Sequence, residues 1–327
     1  MTGSFACRIC RAEAENDPIV VREMMFGTRD EFAYYECRAC GCLQIASYPE
    51  NIADYYPKEY YSFATDGGRK AYSRLERFLH HRRANHALGR LDPIGFAASK
   101  VFGELEAYTW LKRAGASFDS AILEVGCGTG FLLSLLHRDG FFRLEGVDPF
   151  IPDEAREQDG YSIRRTLADA RPGADFILLS HSLEHMPNQD AVLGELRRAA
   201  TPATCLCVRI PLANEAWRRF GPDWGQIDAP RHFYLHTPKS FRLLAARHGF
   251  DVVDTIFDST ALQFWWSEQN RRDVPLNDAK SHAGPHGALF SPAELSAWER
   301  EARALNQRGQ GDQATFLLRP SPARASG

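Results

Sequence analysis

The eleven residues Ile122–Leu132, ILEVGCGTGFL, constrain the chain more than any other stretch. An apolar run, three alternating glycines and a second apolar run read as a buried strand, a tight turn and the start of a helix. Without side chains at Gly126, Gly128 and Gly130, a ligand can come close to the backbone. Similar short apolar runs lie at Ala121–Val125, Leu144–Val147, Tyr161–Arg165, Asp175–Ser180, Cys205–Ile210, Val252–Phe257 and Thr315–Leu318. Helical patterns stand between most of them, including Phe131–Arg138, Gln189–Ala200 and Ser240–His248, and Gly140 and Gly249 sit where helices end. Strands alternating with helices predict an α/β domain on a parallel sheet.

The second apolar run closes in GVDPF, which puts Asp148 at a strand C-terminus about 20 residues beyond the turn. A carboxylate there accepts hydrogen bonds from both hydroxyls of a ribose. The spacing G-x-G-x-G, preceded by Glu124, departs from the G-x-G-x-x-G of dinucleotide sites. The alternative is a plain strand–turn–helix whose glycines serve packing only.

LEVGCGTG and GVD resemble the first two motifs of class I S-adenosylmethionine-dependent methyltransferases. The resemblance implies a Rossmann-like seven-stranded fold whose turn meets the methionine end of the cofactor and holds no pyrophosphate. ADFILLSHSLEHMPN, at 174–188, is similar to the fourth strand and LEH motif of small-molecule methyltransferases. By that likeness Ser180 and His181 face the methionine part of the cofactor, and Leu167 neighbours the adenine. The implied cofactor contacts are Glu124, Gly126, Cys127, Gly128, Gly130, Asp148, Pro149, Leu167, Ser180 and His181.

His185, with an ordinary pKa near 6.5, suits removal of a proton from an acceptor hydroxyl. Glu184 can orient it or take the proton itself; alternatively both only cap a helix and shape the pocket floor. Downstream, DAPRHFYLHTPKS resembles a block of methyltransferases from polysaccharide and natural-product clusters. His232, as a further catalytic candidate, Arg231 and His236 are expected near the acceptor, and Trp217 and Trp224 around the pocket, though single aromatics there equally suit a core. Phe264, Trp265 and Trp266 in a row cannot all face one core.

Five of the eight cysteines crowd into the first 42 residues. No secretory signal is seen and a cytoplasmic location is expected, so the clustering points to metal. Cys7-x-x-Cys10 and Cys37-x-x-Cys40 aim four thiolates at one structural Zn²⁺, with Cys42 a spare thiol able to replace Cys40. Zinc ribbons often bind nucleic acid, but here Glu13, Glu15, Asp17, Glu23, Asp30 and Glu31 outweigh the arginines, and the formal net charge is −3. The module resembles the zinc-binding domain ahead of sugar methyltransferases, which helps to enclose the acceptor. Tyr55, Tyr56, Tyr60 and Tyr61 are then placed to close over it.

The expected layout is a zinc ribbon at 1–60, a helical linker or cap at 61–115, a methyltransferase domain at 116–320 and a tail at 321–327. Within the linker, Arg69–Arg90 is basic, with Tyr72, Leu75 and Leu79 forming a core-facing stripe. The expected partner is a small-molecule or glycan acceptor, a nucleotide-linked sugar among the candidates, with methyl going to a sugar hydroxyl or carbon. Neither nucleic acid nor a membrane span is expected, and the chain is expected to be a monomer or homodimer. The rival readings are a zinc-ribbon RNA methyltransferase and a non-catalytic binding protein that keeps the cofactor fold.

Overall fold

The computed structural model describes residues 3–57, 72–153, 157–158, 160–285, 287 and 289–322. Tyr60, Tyr61, Arg69 and Lys70, and 323–327 of the tail, lie outside the described residues.

The N-terminal part holds the hairpin β1 (Gly3–Ala6) and β2 (Glu13–Asn16), then β3 (Ile19–Arg22), β4 (Glu31–Glu36) and β5 (Leu43–Ile45). Helices α1 (Arg74–Ala87), α2 (Pro93–Phe102) and α3 (Ala107–Ala114) follow. The remainder alternates: β6 (Ile122–Val125), α4 (Phe131–Asp139), β7 (Leu144–Val147), β8 (Glu157–Gln158), β9 (Tyr161–Arg164), β10 (Phe176–Ser180), α5 (Gln189–Ala199) and β11 (Cys205–Pro211). It ends with α6 (Glu215–Phe220), β12 (Tyr234–Leu235), α7 (Pro238–Arg247), β13 (Phe250–Phe257), α8 (Leu262–Arg271), α9 (Pro292–Gln307) and β14 (Gln313–Pro320).

The large sheet runs in the order β13-β14-β11-β10-β6-β7-β9-β8. Strands β11, β10, β6, β7 and β9 are parallel neighbours, and β14 lies antiparallel between β11 and β13. Both faces are covered, so side chains alternate between two cores. On β10, Ile177 and Leu179 join one apolar cluster, and Phe176 and Leu178 the other. Burial on both faces is why these strands read as continuous apolar runs. The order reverses between β6 and β10, and crevices at such reversals receive ligands at strand C-termini.

The N-terminal sheet has the order β12-β5-β4-β3. Its edge strand β12 comes from the segment after β11, with Leu235 opposite Leu43 and Tyr234 opposite Gln44. Tyr34 and Leu43 share one core with Leu212, Trp224 and Phe241. Residues almost 200 positions apart in the chain therefore fix each other.

One expectation about α1 is corrected. Leu75 is 67% exposed, whereas Arg83 is buried. The helix turns a cation inward because Asp139, fully buried at the end of α4, needs one: Arg83 Nη2 reaches it at 2.7 Å and Arg138 Nε at 2.7 Å. Within the expected helical linker, a break at Gly103, with φ +68°, separates α2 from α3. Among the described residues, no helix is long and apolar enough to cross a membrane.

Candidate active site

The turn after β6 is built by close contact as much as by flexibility. Gly126 has φ +74°, and a Cβ there would lie 2.5 Å from that of Ser182, beside β10. Gly130 has φ +81°, and its missing Cβ leaves room for the Tyr161 ring. Asp148, buried at the tip of β7, accepts from the Gly128 amide at 2.8 Å through Oδ2 and from the Phe150 amide at 2.9 Å through Oδ1. Each oxygen keeps a lone pair for a further donor. Burial raises the Asp148 pKa despite these two amides. Cys127 points inward, its thiol filling the space over Gly146. Pro149 is exposed after β7, and Leu167 begins a single 3₁₀ turn after β9.

Glu124 is buried, and its Oε2 has no partner. Burial, and after it the charge of Asp148, push its pKa from 4.5 up to about 8. A carboxyl raised in this way binds its proton more tightly folded than unfolded. Stability is then fully present below pH 4.5 and is lost as pH rises towards 8. The cofactor-free protein is expected to lose on the order of 3 kcal/mol through this group between pH 5 and 8. Glu124→Gln should flatten that slope in denaturant melts run across the range; an unchanged slope would refute the account.

Ser180 ends β10, and His181 follows in a left-handed conformation at φ +51°. His181 Nδ1 lies 3.2 Å from Oε1 of Glu184, which is fully buried. Burial alone would raise the Glu184 pKa, but the His181 hydrogen bond and the neighbouring imidazoles bring it down to about 2. His185 Nδ1 lies 3.0 Å from the Arg231 carbonyl and 3.1 Å from the Tyr56 hydroxyl. A carbonyl only accepts, so the ring proton sits on Nδ1 and Nε2 keeps its lone pair. Burial, then the His232 ring, lower the His185 pKa from 6.5 to about 4. The His185 and His232 ring centres are 4.6 Å apart.

A cavity of about 440 Å³ opens beside this cluster, lined in part by His181, His232, Asp228, Arg209, Glu106 and Trp266. Its wall draws on chain segments from Met25 to Gln313. Arg209 is gripped by Glu106 at 2.6 Å and Asp258 at 2.9 Å. Its sequence signal is a lone cation inside the apolar strand CLCVRIPL. Nothing local in the sequence marks Glu106, Gln226 or Asp312 as cavity residues.

Other expected acceptor contacts fall elsewhere. Arg231 is fully buried, bonded to Asp228 at 2.6 Å and Glu23 at 2.8 Å. Glu23 also accepts from the amides of Met25, Phe26, Gly27 and Thr28, so this pair ties the N-terminal sheet to the His232 segment. His236 is buried between Gln189 at 2.9 Å and Ser240 at 3.1 Å. Trp217 and Trp224 are core residues whose indole N–H groups bond Glu36 and Asp312. The run 264–266 splits three ways: Phe264 is in the core, Trp265 lies against His282, and Trp266 reaches the cavity. Tyr55 bonds Asp30, leaving Tyr56 as the described tyrosine at His185.

The four N-terminal thiols converge within 4.8 Å of one another. Cys7 and Cys40 are 3.7 Å apart, and Cys10 and Cys37 3.4 Å. Each knuckle closes on a left-handed residue, Arg11 or Gly41. Gln44 Nε2 donates to the Cys7 sulfur at 3.0 Å. Cys42 stands apart, 4.0 Å from His236 Nδ1.

Five parallel strands, an antiparallel pair at one edge, a glycine turn and a carboxylate at the second strand tip define a Rossmann-like enzyme domain for a ribose-bearing ligand. The family described as a methyltransferase domain matches residues 82–255, more than half of the chain. The chain belongs to that family and is an S-adenosylmethionine-dependent methyltransferase.

No curated protein matches by sequence. Among solved structures, geranyl diphosphate methyltransferase in complex with S-adenosylmethionine is 15% identical with a TM-score of 0.44, covering 72% of this chain and 94% of that one. Magnesium protoporphyrin IX methyltransferase from Synechocystis PCC 6803 is 16% identical with a TM-score of 0.41, covering 65% and 94%. An S-adenosylmethionine-dependent methyltransferase from Archaeoglobus fulgidus is 16% identical with a TM-score of 0.40, covering 69% and 99%. At these scores the likenesses carry no inference about acceptor or site.

Proposed function

We propose that the protein methylates a hydroxyl of a small, polyhydroxylated acceptor, a sugar or glycan, held in the 440 Å³ cavity. The observation that carries this reading is the position of His181, which both follows β10 at the sheet's reversal point and lines the cavity. Donor and acceptor sites then share one wall. The cavity supplies side-chain hydrogen-bonding groups from Gln226, Ser259, Thr260, Gln263, Asn277 and Gln313, with the flat Trp266 ring beside them. Its charged wall groups are the carboxylates Glu106, Asp228 and Asp312 and the already paired Arg209. That balance favours a neutral ligand over a phosphate, so the diphosphate of a nucleotide-linked sugar would lie outside.

When bound, S-adenosylmethionine supplies a methyl group on a cationic sulfur. Asp148 would hold the ribose hydroxyls, and the backbone at Gly126, Gly128, Ser180 and His181 would line the rest of the cradle. The unpartnered Oε2 of Glu124 is a group such a ligand would satisfy. His185 Nε2 would take the acceptor proton, with Glu184 and His232 setting the field around it. Cys7, Cys10, Cys37 and Cys40 would hold a structural Zn²⁺, since sulfurs on a tetrahedral zinc stand about 3.8 Å apart. The thiols fit a reducing, cytoplasmic setting.

The direct test is incubation of the protein with labelled cofactor and a panel of sugars, glycans and nucleotide sugars; label on none of them would sink the acceptor class. Asp148→Ala should weaken S-adenosylmethionine binding about 100-fold, the worth of two hydrogen bonds to a carboxylate. Calorimetry within threefold of wild type would remove the residue from the cofactor site.

A further inference from the structure

Glu184, His185 and His232 each offer one ligand atom, and the three atoms lie within 4.8 Å of one another. Glu184 is fully buried; Oε1 is taken by His181, and Oε2 has no partner. Leaving a buried carboxylate oxygen unpaired is costly, so a missing neighbour is expected there. Both imidazoles are turned in one manner: Nδ1 of His185 meets the Arg231 carbonyl at 3.0 Å, and Nδ1 of His232 meets the Gln226 carbonyl at 2.8 Å. Both must donate through Nδ1, which leaves both Nε2 lone pairs available. Imidazoles that bind metals commonly give their other N–H to a backbone carbonyl in this way. Two neutral imidazole nitrogens and one carboxylate oxygen suit a divalent transition ion with coordination positions to spare. Asp228 adds negative charge, its Oδ2 lying 3.9 Å from His232 Nε2. His232 and His181 line the cavity, which gives an ion its way in.

We propose that Glu184, His185 and His232 form a second metal site, distinct from the four thiols, which binds a divalent transition ion and presents it to the acceptor. The inference rests on the cavity being the acceptor site and refines the chemistry there. A hydroxyl coordinated to such an ion gives up its proton near neutral pH. The proton leaves to solvent through the cavity, the oxygen–methyl bond forms, and the sulfur–methyl bond of the donor breaks with its electron pair returning to sulfur. His185 then serves as a ligand, and the ion replaces free imidazole as the means of activating the hydroxyl.

The test uses the full chain, stripped with a weak chelator that leaves the N-terminal zinc in place, as checked by metal analysis. Co²⁺ is then added and followed by calorimetry and visible absorption. One further Co²⁺ per chain is expected, bound at least tenfold more weakly by Glu184→Gln and by His232→Asn. Should either variant melt below wild type, His185→Gln supplies the same comparison. Wild type that takes up no Co²⁺ beyond the thiol site, or variants that bind it equally well, would overturn the site. Full turnover by the ion-free enzyme would overturn the ion's role and leave His185 as the base. Tight Co²⁺ binding with no methylation of any sugar or glycan would uphold the site and sink the acceptor reading.

Discussion

His185→Ala is expected to lower kcat about 10²- to 10⁴-fold, the usual worth of a positioned acid–base group. S-adenosylmethionine affinity should stay within about twofold, because the ring is held by the Arg231 carbonyl and the Tyr56 hydroxyl and not by the glycine turn. A loss confined to kcat separates this role from a role in binding. The pH profile adds a second signature. With burial lowering the imidazole pKa from 6.5 to about 4, Nε2 keeps its lone pair above about pH 5, whether it takes the acceptor proton itself or holds the proposed ion, and activity should hold down to that point. An acid limb at the ordinary histidine value would contradict a buried His185 base. Near-normal turnover of the alanine variant at saturating acceptor would remove the residue from the chemistry altogether.

Loss of the zinc proposed for the four N-terminal thiols is expected to abolish methyl transfer while leaving measurable donor binding. Structural zinc can contribute roughly 10 kcal/mol to the folding of a small thiolate module. Its loss here would spread, because β5 pairs with β12 and the Tyr34 hydroxyl donates to the His232 carbonyl at 2.9 Å. Glu23 on the same module holds Arg231, and Met25 and Phe26 form part of the cavity wall. Cys37→Ser should therefore lower turnover by at least 100-fold, with the bound zinc and the melting profile lost together. The Asp148 and Gly128 end of the site, on β6 and β7, has its own core with Leu133 and Ile163 and should retain S-adenosylmethionine within about tenfold. A metal-free variant with full activity would reduce the module to an appendage.

The parts legible in the sequence share a physical property: each is set by neighbours within a few residues. The central strands β6, β10 and β11 are covered on both faces and are therefore apolar almost throughout, so their runs could be read. A chain that reverses sharply between strand and helix needs glycine, and the acid that steadies the turn must end the next strand, so Gly126, Gly128 and Asp148 announced themselves. The thiol pairs were equally plain, since two residues between cysteines suffice to aim both at one point. α1 misled because helical periodicity shows which residues share a face and not which face the core takes; the buried Asp139 decided that in favour of Arg83.

The sequence by itself determined the parallel α/β architecture, the glycine turn and carboxylate at the first two strand tips and the convergence of Cys7, Cys10, Cys37 and Cys40. Only the tertiary structure decided that the N-terminal sheet completes itself with Tyr234–Leu235, that Arg231 is a buried tie, and that Arg209, Gln226, Asp312 and Trp266 wall one cavity beside His181. The difference has one cause. Local patterns follow from backbone geometry, whereas a pocket is the space left where distant segments meet, and its lining is fixed by packing that no short stretch of chain records.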